Sequence, residues 1–244
     1  MGTALALGFV VAAAIAVEAV VGFGATVLTL AFGLWLLPIT ELLPAYVPVN
    51  MLLSASIVWR DRRALDLRVL LRRVLPLTGA GLVVGMGLYR WAARPSVQVA
   101  FGVVVVALGV RELAGVLRRA AAVAAPKPWH GAALMLSGGV VYGLFGTGGV
   151  LIVAALAGEG LDKDRSRATL AALWLLLNAA LLVNFARHGS LGAASFARSA
   201  TLVPAMIVGA VVGEVLHRRV AARPFRIATA VMMIGAGAAA IARI

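Results

Sequence analysis

Cysteine is absent from the chain, and acidic residues are scarce, nine against 22 basic ones. Without cysteine, the protein has neither a disulfide framework nor a thiolate metal site. The three histidines, His130, His188 and His217, lie far apart and have no metal-ligand spacing. The sequence also has no nucleotide-binding loop and no recognisable Ser/His/Asp arrangement. We therefore expect no enzyme activity, no metal and no cofactor.

Hydrophobic residues dominate what remains. They make up 63% of the chain, charged residues only 13%, and the mean hydropathy is +1.03. Soluble domains have roughly 45–50% apolar residues. Continuous apolar stretches such as 5–21 and 170–185 approach the length of about 20 residues that a membrane-spanning helix needs. The runs do not alternate as barrel strands do, so the sequence predicts an all-α polytopic membrane protein.

An internal repeat relates the two halves of the chain. The sequence "WAARPSVQVAFGVVVVALG" from Trp91 is echoed by "VAARPFRIATAVMMIGAG" from Val220. At nearly the same separation the other matches are Pro76 with Pro204, Gly81 with Gly209, Gly85 with Gly213 and Asn50 with Asn178, and the glycine-rich stretches pair Phe23-Gly24 with Phe145-Gly146. We predict a first membrane repeat at 1–117, a cytoplasmic linker at 118–130 and a second membrane repeat at 131–244, together forming one membrane domain.

Each repeat has about five hydrophobic segments, and this odd number predicts inverted topology. The segments are 3–21, 25–37, 43–59, 74–90 and 97–113, then 131–145, 148–158, 169–186, 198–216 and 226–242. If they alternate sides, the regions 60–73, 111–130, 159–167 and 217–226 share one side and hold 17 of the 22 basic residues. Positive residues mark the cytoplasmic side. We expect an inner (plasma) membrane protein with both termini outside, and a cytoplasmic loop at 60–73 held against anionic lipid.

The glycine-rich stretch "GLFGTGG" at 143–149 interrupts an apolar run, and "GFGAT" at 22–26 does so in the first half. The short segments that follow reach only about 16–20 Å, too little to span a bilayer of about 30 Å. Broken helices at membrane depth line cavities in inverted-repeat transporters, where the N-termini of half-helices bind anions. This pattern predicts substrate contacts from Gly22, Gly24, Thr26, Gly146, Thr147, Gly148 and Gly149. The alternative is that these glycines only allow close helix packing.

Several polar residues lie within the apolar segments and are candidates for function. Asn50 and Asn178 occupy matching places in the two repeats and are predicted substrate-binding amides, with an interhelical hydrogen bond as the alternative. Glu18 lies one turn before Gly22 and is the candidate for proton coupling, with a structural pairing as the alternative. Ser54 and Asn184 are weaker candidates on the same helices as the two asparagines.

The sequence resembles the sulfite exporter TauE/SafE permeases. The resemblance rests on "GGVVYGLFGTGGVLIVAALAGEGLDKDRSRATLAALWLLLNAALLVNFARHGSLG" from Gly138 and on "VEAVVGFGATVLTLAFGLWLLP" from Val17. It covers essentially the whole chain and implies transport of small sulfur-containing or organic anions such as sulfite and sulfonates. The first-half break, Gly-Phe-Gly-Ala-Thr, departs from the fuller glycine cluster of the family.

We therefore expect a secondary-active permease for a small anion, a sulfur oxyanion or organosulfonate, that works by alternating access with proton coupling. The expected partners are the anionic substrate, the lipid bilayer and a coupled proton. No nucleic acid is expected, and assembly into a homo-oligomer stays open. The alternatives are a permease for carboxylates or other organic anions, and a non-transporting membrane scaffold.

Overall fold

The computed structural model describes residues 2–91, 94–117, 128–156, 159–219 and 222–242. These residues form helices and their connections, and no strand occurs in these ranges. This confirms the all-α prediction. The α-helices are α1 (Gly2–Val21), α2 (Ala25–Gly33), α3 (Ile39–Arg60), α4 (Leu67–Val69), α5 (Leu75–Leu88), α6 (Pro95–Leu117), α7 (Pro128–Phe145), α8 (Gly149–Leu156), α9 (Lys163–Arg187), α10 (Ala193–Arg219) and α11 (Ala222–Ala242).

Six stretches of the described chain are long and apolar enough to cross a membrane. They are Gly2–Val20, Ile39–Arg60, Leu67–Leu88, Pro95–Leu117, Asp164–Arg187 and Ala193–His217. The protein is therefore a multi-pass membrane protein, as the sequence predicted. Residues 118–127 of the predicted linker lie outside the described residues, and α7 begins at Pro128.

The two short helices that the glycine-rich stretches predict are present. α2 has nine residues and α8 has eight, so they extend about 14 Å and 12 Å at 1.5 Å per residue. Neither reaches across a hydrocarbon core of about 30 Å. Each follows a long helix, α1 or α7, that ends at a glycine-rich turn.

The prediction of a loop over the whole of 60–73 is wrong for its second part. Residues Leu67–Val69 form α4, Leu70–Val74 form a π-helix, and both continue into α5. The N–H of Leu75 donates to the carbonyl of Leu70, five residues earlier. Pro76 explains the wide turn, because its ring has no N–H and would clash with the carbonyl four residues before it in a regular helix. The sequence pattern missed these turns because their arginines suggested a loop.

The described helices divide into two compact units. The first comprises the described residues of Met1–Leu42, Trp91–Ala122 and Thr201–Ile244, and the second those of Leu43–Arg90, Val123–Ala200. The first unit therefore contains α1, α2, α6, α11 and most of α10. The second contains α5, α7, α8, α9 and most of α3. Each unit takes helices from both predicted repeats.

In the first unit, glycines bring helices into backbone contact. A Cβ added at Gly209 of α10 would overlap the backbone of Ala12 in α1, and one at Gly213 would lie 2.6 Å from the carbonyl oxygen of Ala16. The two helices are parallel, since both contacts advance by four residues. α6 packs closely against α11 as well, but in antiparallel orientation, with Gly102 facing Gly237 and Gly109 facing Ala230. Small residues permit such close approach in membrane proteins.

In the second unit, α5 packs against α7 through four glycines. A Cβ added at Gly81 or Gly85 would overlap the backbone of α7, and one at Gly139 or Gly143 would meet the backbone of α5. Gly81 and Gly85 are the predicted repeat counterparts of Gly209 and Gly213, which make the corresponding contacts in the first unit. The matched contacts agree with an internal repeat, and its inverted orientation stays a prediction.

Helix packing at these glycines can be tested on α5. Gly85→Ala should destabilise the protein by about 1–3 kcal/mol, because the new methyl group overpacks against α7. Gly87→Ala is the matched control on the same helix, since a Cβ there meets nothing within 4 Å. We expect thermal unfolding in detergent to show a lower Tm for Gly85→Ala and no decrease for Gly87→Ala. Equal behaviour of the two variants would contradict the packing described.

Candidate functional site

The two glycine-rich turns have the same backbone arrangement where the long helices end. Gly22 has a φ of 87° and donates its N–H to the carbonyl of Glu18 at 2.6 Å. Gly146 has a φ of 64° and donates to the carbonyl of Tyr142 at 2.7 Å. A glycine in the left-handed region commonly ends a helix in this way. The structure therefore matches Gly22 with Gly146 and Glu18 with Tyr142. The sequence had instead paired Phe23-Gly24 with Phe145-Gly146, an alignment that differs from the structural one by two residues.

In the first unit, a carboxylate binds the N-terminus of α2. The N–H of Ala25, the first residue of α2, donates to Oε2 of Glu18 at 3.0 Å. Glu18 is buried, with 4% of its surface exposed. A negative charge is stabilised at this position because the first N–H groups of a helix have no partner within the helix and carry the positive end of its dipole. Glu18 thus has the structural pairing that the sequence left as an alternative, and its role in proton coupling stays a prediction.

In the second unit, the corresponding turn has no carboxylate in that place. Tyr142 stands where Glu18 stands in the first unit, and the backbone N–H groups of Thr147, Gly148 and Gly149 meet no acceptor within the described parts of the chain. All three residues are buried. Buried backbone N–H groups are almost always hydrogen-bonded. This group of donors at the start of α8, which we call the α8 donor cluster, is therefore suited to a ligand that supplies acceptors.

Gly148 also has a packing role. A Cβ added there would overlap the backbone of Gly138 in α7, and one added at Gly138 would lie 2.6 Å from Cγ1 of Ile152. Close helix packing, the alternative reading of the glycines, thus applies to this residue. Close packing does not account for the N–H groups of Thr147, Gly148 and Gly149 that have no acceptor among the described residues.

Asn50 and Asn178 are brought together, in the same unit as the α8 donor cluster. The amide of Asn178 donates to Oδ1 of Asn50 at 2.8 Å, and Asn178 accepts from the Tyr142 hydroxyl at 2.8 Å. Asn50 in turn donates to the hydroxyl of Tyr46 at 3.1 Å. All four side chains are buried, with 1–3% exposed. The asparagines make the interhelical hydrogen bond that the sequence left as an alternative, and their contact with substrate stays a prediction.

Tyr142 links this hydrogen-bonded network to the glycine-rich turn. Its hydroxyl contacts Asn178, its carbonyl accepts from Gly146, and its ring stacks on Trp174 with centroids 5.6 Å apart and an interplanar angle of 3°. Sequence reasoning missed this tyrosine. Its position four residues before Gly146, in register with the buried Glu18 before Gly22, was the available signal.

The predicted site residues are distributed over both units. The first unit holds Glu18, Gly22, Gly24 and Thr26, and the second holds Asn50, Gly146, Thr147, Gly148, Gly149 and Asn178. The structure connects Glu18 with the turn at Gly22, and it connects Asn50 and Asn178 through Tyr142 with the turn at Gly146. One site containing all of these residues stays a prediction.

The weaker candidates and the nearby charges also fall in the second unit. The Ser54 hydroxyl and the Asn184 amide nitrogen are buried and have no hydrogen-bond partner among the described residues. Arg167, near the start of α9, is buried with 6% exposed and lies 4.0 Å from Asp61. No group of metal-binding side chains is found in the described parts of the chain.

Comparison with known proteins agrees with this architecture. The family model of the sulfite exporter TauE/SafE matches residues 5–240, nearly the whole chain. No curated protein and no solved structure matches this chain significantly. A match of this extent includes both glycine-rich turns, the Asn50–Asn178 pair, five candidate membrane spans in full and most of the first, Gly2–Val20. The chain therefore belongs to the sulfite exporter TauE/SafE family.

Proposed function

We propose that this protein is a secondary-active permease of the inner membrane that moves a small sulfur oxyanion or organosulfonate. Membership of the TauE/SafE family supports membrane transport of sulfite or related anions rather than an enzymatic reaction. The clustering of arginines in four of the regions between segments supports an orientation with both termini outside. The inverted repeats that the sequence predicts would support alternating access, since inverted-repeat transporters bind substrate at broken helices.

The α8 donor cluster is the observation that carries the proposal. In the first unit, an N–H at the start of a short helix binds the carboxylate of Glu18. In the second unit, the matching turn has Tyr142 in place of the carboxylate, and the N–H groups of three buried residues have no acceptor within the described chain. The protein's own carboxylate thus indicates the ligand chemistry that such a turn accepts. A substrate anion would satisfy the donors that no side chain among the described residues satisfies.

The surroundings of the α8 donor cluster suit an oxyanion with several acceptor oxygens. Backbone N–H groups and the Thr147 hydroxyl are the donors there, and hydrogen bonds to a charged acceptor are about twice as strong as neutral ones. Sulfite and sulfonates each present three oxygens. The carbonyl of Tyr142 accepts from Gly146 and its hydroxyl donates to Asn178, so hydrogen bonds of Tyr142 connect this turn with the Asn50–Asn178 pair.

Glu18 supplies a route to proton coupling within the first unit. An ionised Glu18 makes a charge-assisted hydrogen bond to the N–H of Ala25. Proton uptake removes that charge, and the start of α2 then loses its anionic partner. A buried membrane carboxylate can thus change between an ionised form that binds the helix N-terminus and a protonated form that has no charge there. Such a change is suited to proton coupling.

Flux measurements in proteoliposomes test the function. We expect labelled sulfite or a sulfonate to move across the membrane at a rate that an imposed pH gradient increases. A carboxylate of similar size is the comparison that separates the two anion classes, and empty liposomes are the control. If only the carboxylate moved, the protein would be a permease for organic acids. If no anion moved through correctly inserted protein, the result would contradict a transport function.

Thr147→Val tests the α8 donor cluster with nearly unchanged side-chain volume. Loss of a hydrogen bond to a charged group should raise the KM for the anion by about tenfold or more. Thr26→Val is the matched control in α2, where Glu18 already binds the helix N-terminus. Initial transport rates measured at varied anion concentration give the KM of each variant. A similar KM increase in both variants would show that the two turns contribute equally, against the assignment to α8.

Glu18→Gln tests the coupling. The amide oxygen can still accept from Ala25, while the group no longer takes up a proton. We expect anion flux in the variant to be independent of the pH gradient, because the coupled group is gone. The measurement compares flux with and without the gradient for both proteins. A gradient effect as large as that of the unaltered protein would assign Glu18 to structure alone.

A further inference from the structure

The segment that begins the Leu67–Leu88 span carries two arginines without partners. Arg68 and Arg72 are exposed and make no ion pair or hydrogen bond with any residue of the described chain. The neighbouring Arg73 differs, since its guanidinium binds both carboxylate oxygens of Glu159 at 2.9 Å and 3.0 Å. Arg68 and Arg72 therefore keep their full capacity for an external anion.

Two exposed leucines lie beside these arginines and, like them, are four residues apart. Leu67 and Leu71 are 56% and 53% exposed, whereas Leu70 and Val74 are buried within the second unit. Residues four apart lie on one side of a helix, so the outward side carries a pair of leucines next to a pair of arginines. We call these four exposed residues the 67–72 face.

The position of the 67–72 face within the span indicates its depth. It occupies the first two turns of a 22-residue candidate membrane span, which places the guanidinium groups near the end of the hydrocarbon region. In the same unit, Trp59 lies at the end of another span, is 76% exposed, and has the Arg62 guanidinium 5.4 Å from its ring centroid. Exposed tryptophan and arginine at span ends are typical of the membrane–water interface.

We propose that the 67–72 face binds an anionic glycerophospholipid, with Arg68 and Arg72 on its phosphate and Leu67 and Leu71 against its acyl chains. Arginine binds phosphate oxygens through two parallel N–H donors. A soluble anion would use the arginines but has no use for the exposed leucines, and this favours the lipid. The site is separate from the α8 donor cluster and does not depend on the proposed transport function.

Native mass spectrometry of the purified full-length protein tests this site. Phosphatidylglycerol and phosphatidylcholine are added at equal concentrations, and the bound lipid is counted. We expect preferential retention of phosphatidylglycerol, reduced about fivefold by each of Arg68→Gln and Arg72→Gln. Arg63→Gln is the matched control, because Arg63 is also exposed and also lacks a partner among the described residues, and it lies before the span. The Tm in detergent without lipid should be the same for all variants.

Inorganic phosphate separates a lipid site from a site for free anions. At the concentration of the lipid it should not displace phosphatidylglycerol, since it lacks acyl chains. Displacement by phosphate would overturn the proposal in favour of a soluble anion. An unchanged preference for phosphatidylglycerol in the Arg68→Gln/Arg72→Gln double variant, or an equal loss in Arg63→Gln, would also overturn it.

Discussion

The hydrogen bond from the N–H of Ala25 to the buried carboxylate of Glu18 shows the constraint on which this structure depends. A helix that begins inside an apolar protein exposes backbone donors that neither water nor lipid can satisfy. At α2 the chain satisfies one of them with its own anion. At α8 the described residues provide no such anion, and the N–H groups of Thr147, Gly148 and Gly149, which have no acceptor among them, are the feature from which the anion site is inferred.

The remaining elements hold this arrangement in place. Glycine contacts bring α5 against α7 and α10 against α1 with their backbones in contact, and such contacts resist displacement because the facing atoms are backbone. Tyr142 lies on the same helix as Gly139 and Gly143, so the packing of α7 also positions the network that reaches Asn178 and Asn50. Glycine therefore serves two purposes, close packing within helices and a left-handed turn where they end.

Sequence reasoning predicted the membrane helices and the two short helices, since apolar length and glycine-rich breaks are local signals, and it singled out Glu18, whose role in coupling stays a prediction. It did not predict the bond between Glu18 and Ala25, because the glycine-rich turn between them sets that geometry. The π-helix at Leu70–Val74 was missed, since Arg68, Arg72 and Arg73 masked its helical continuation, although Pro76 was the local cause. Tyr142 was missed because the turns were aligned two residues out of register. The inverted orientation and the substrate contacts of the predicted site residues stay predictions.

The most direct test of the central claim is an experimental structure of the protein with selenite, a sulfite analogue whose selenium gives an anomalous X-ray signal. Anion binding by the α8 donor cluster predicts an anomalous peak within hydrogen-bonding distance of the N–H groups of Gly148 and Gly149, beside the Thr147 hydroxyl. A peak at another position, with none at the start of α8 under conditions that support transport, would contradict the account.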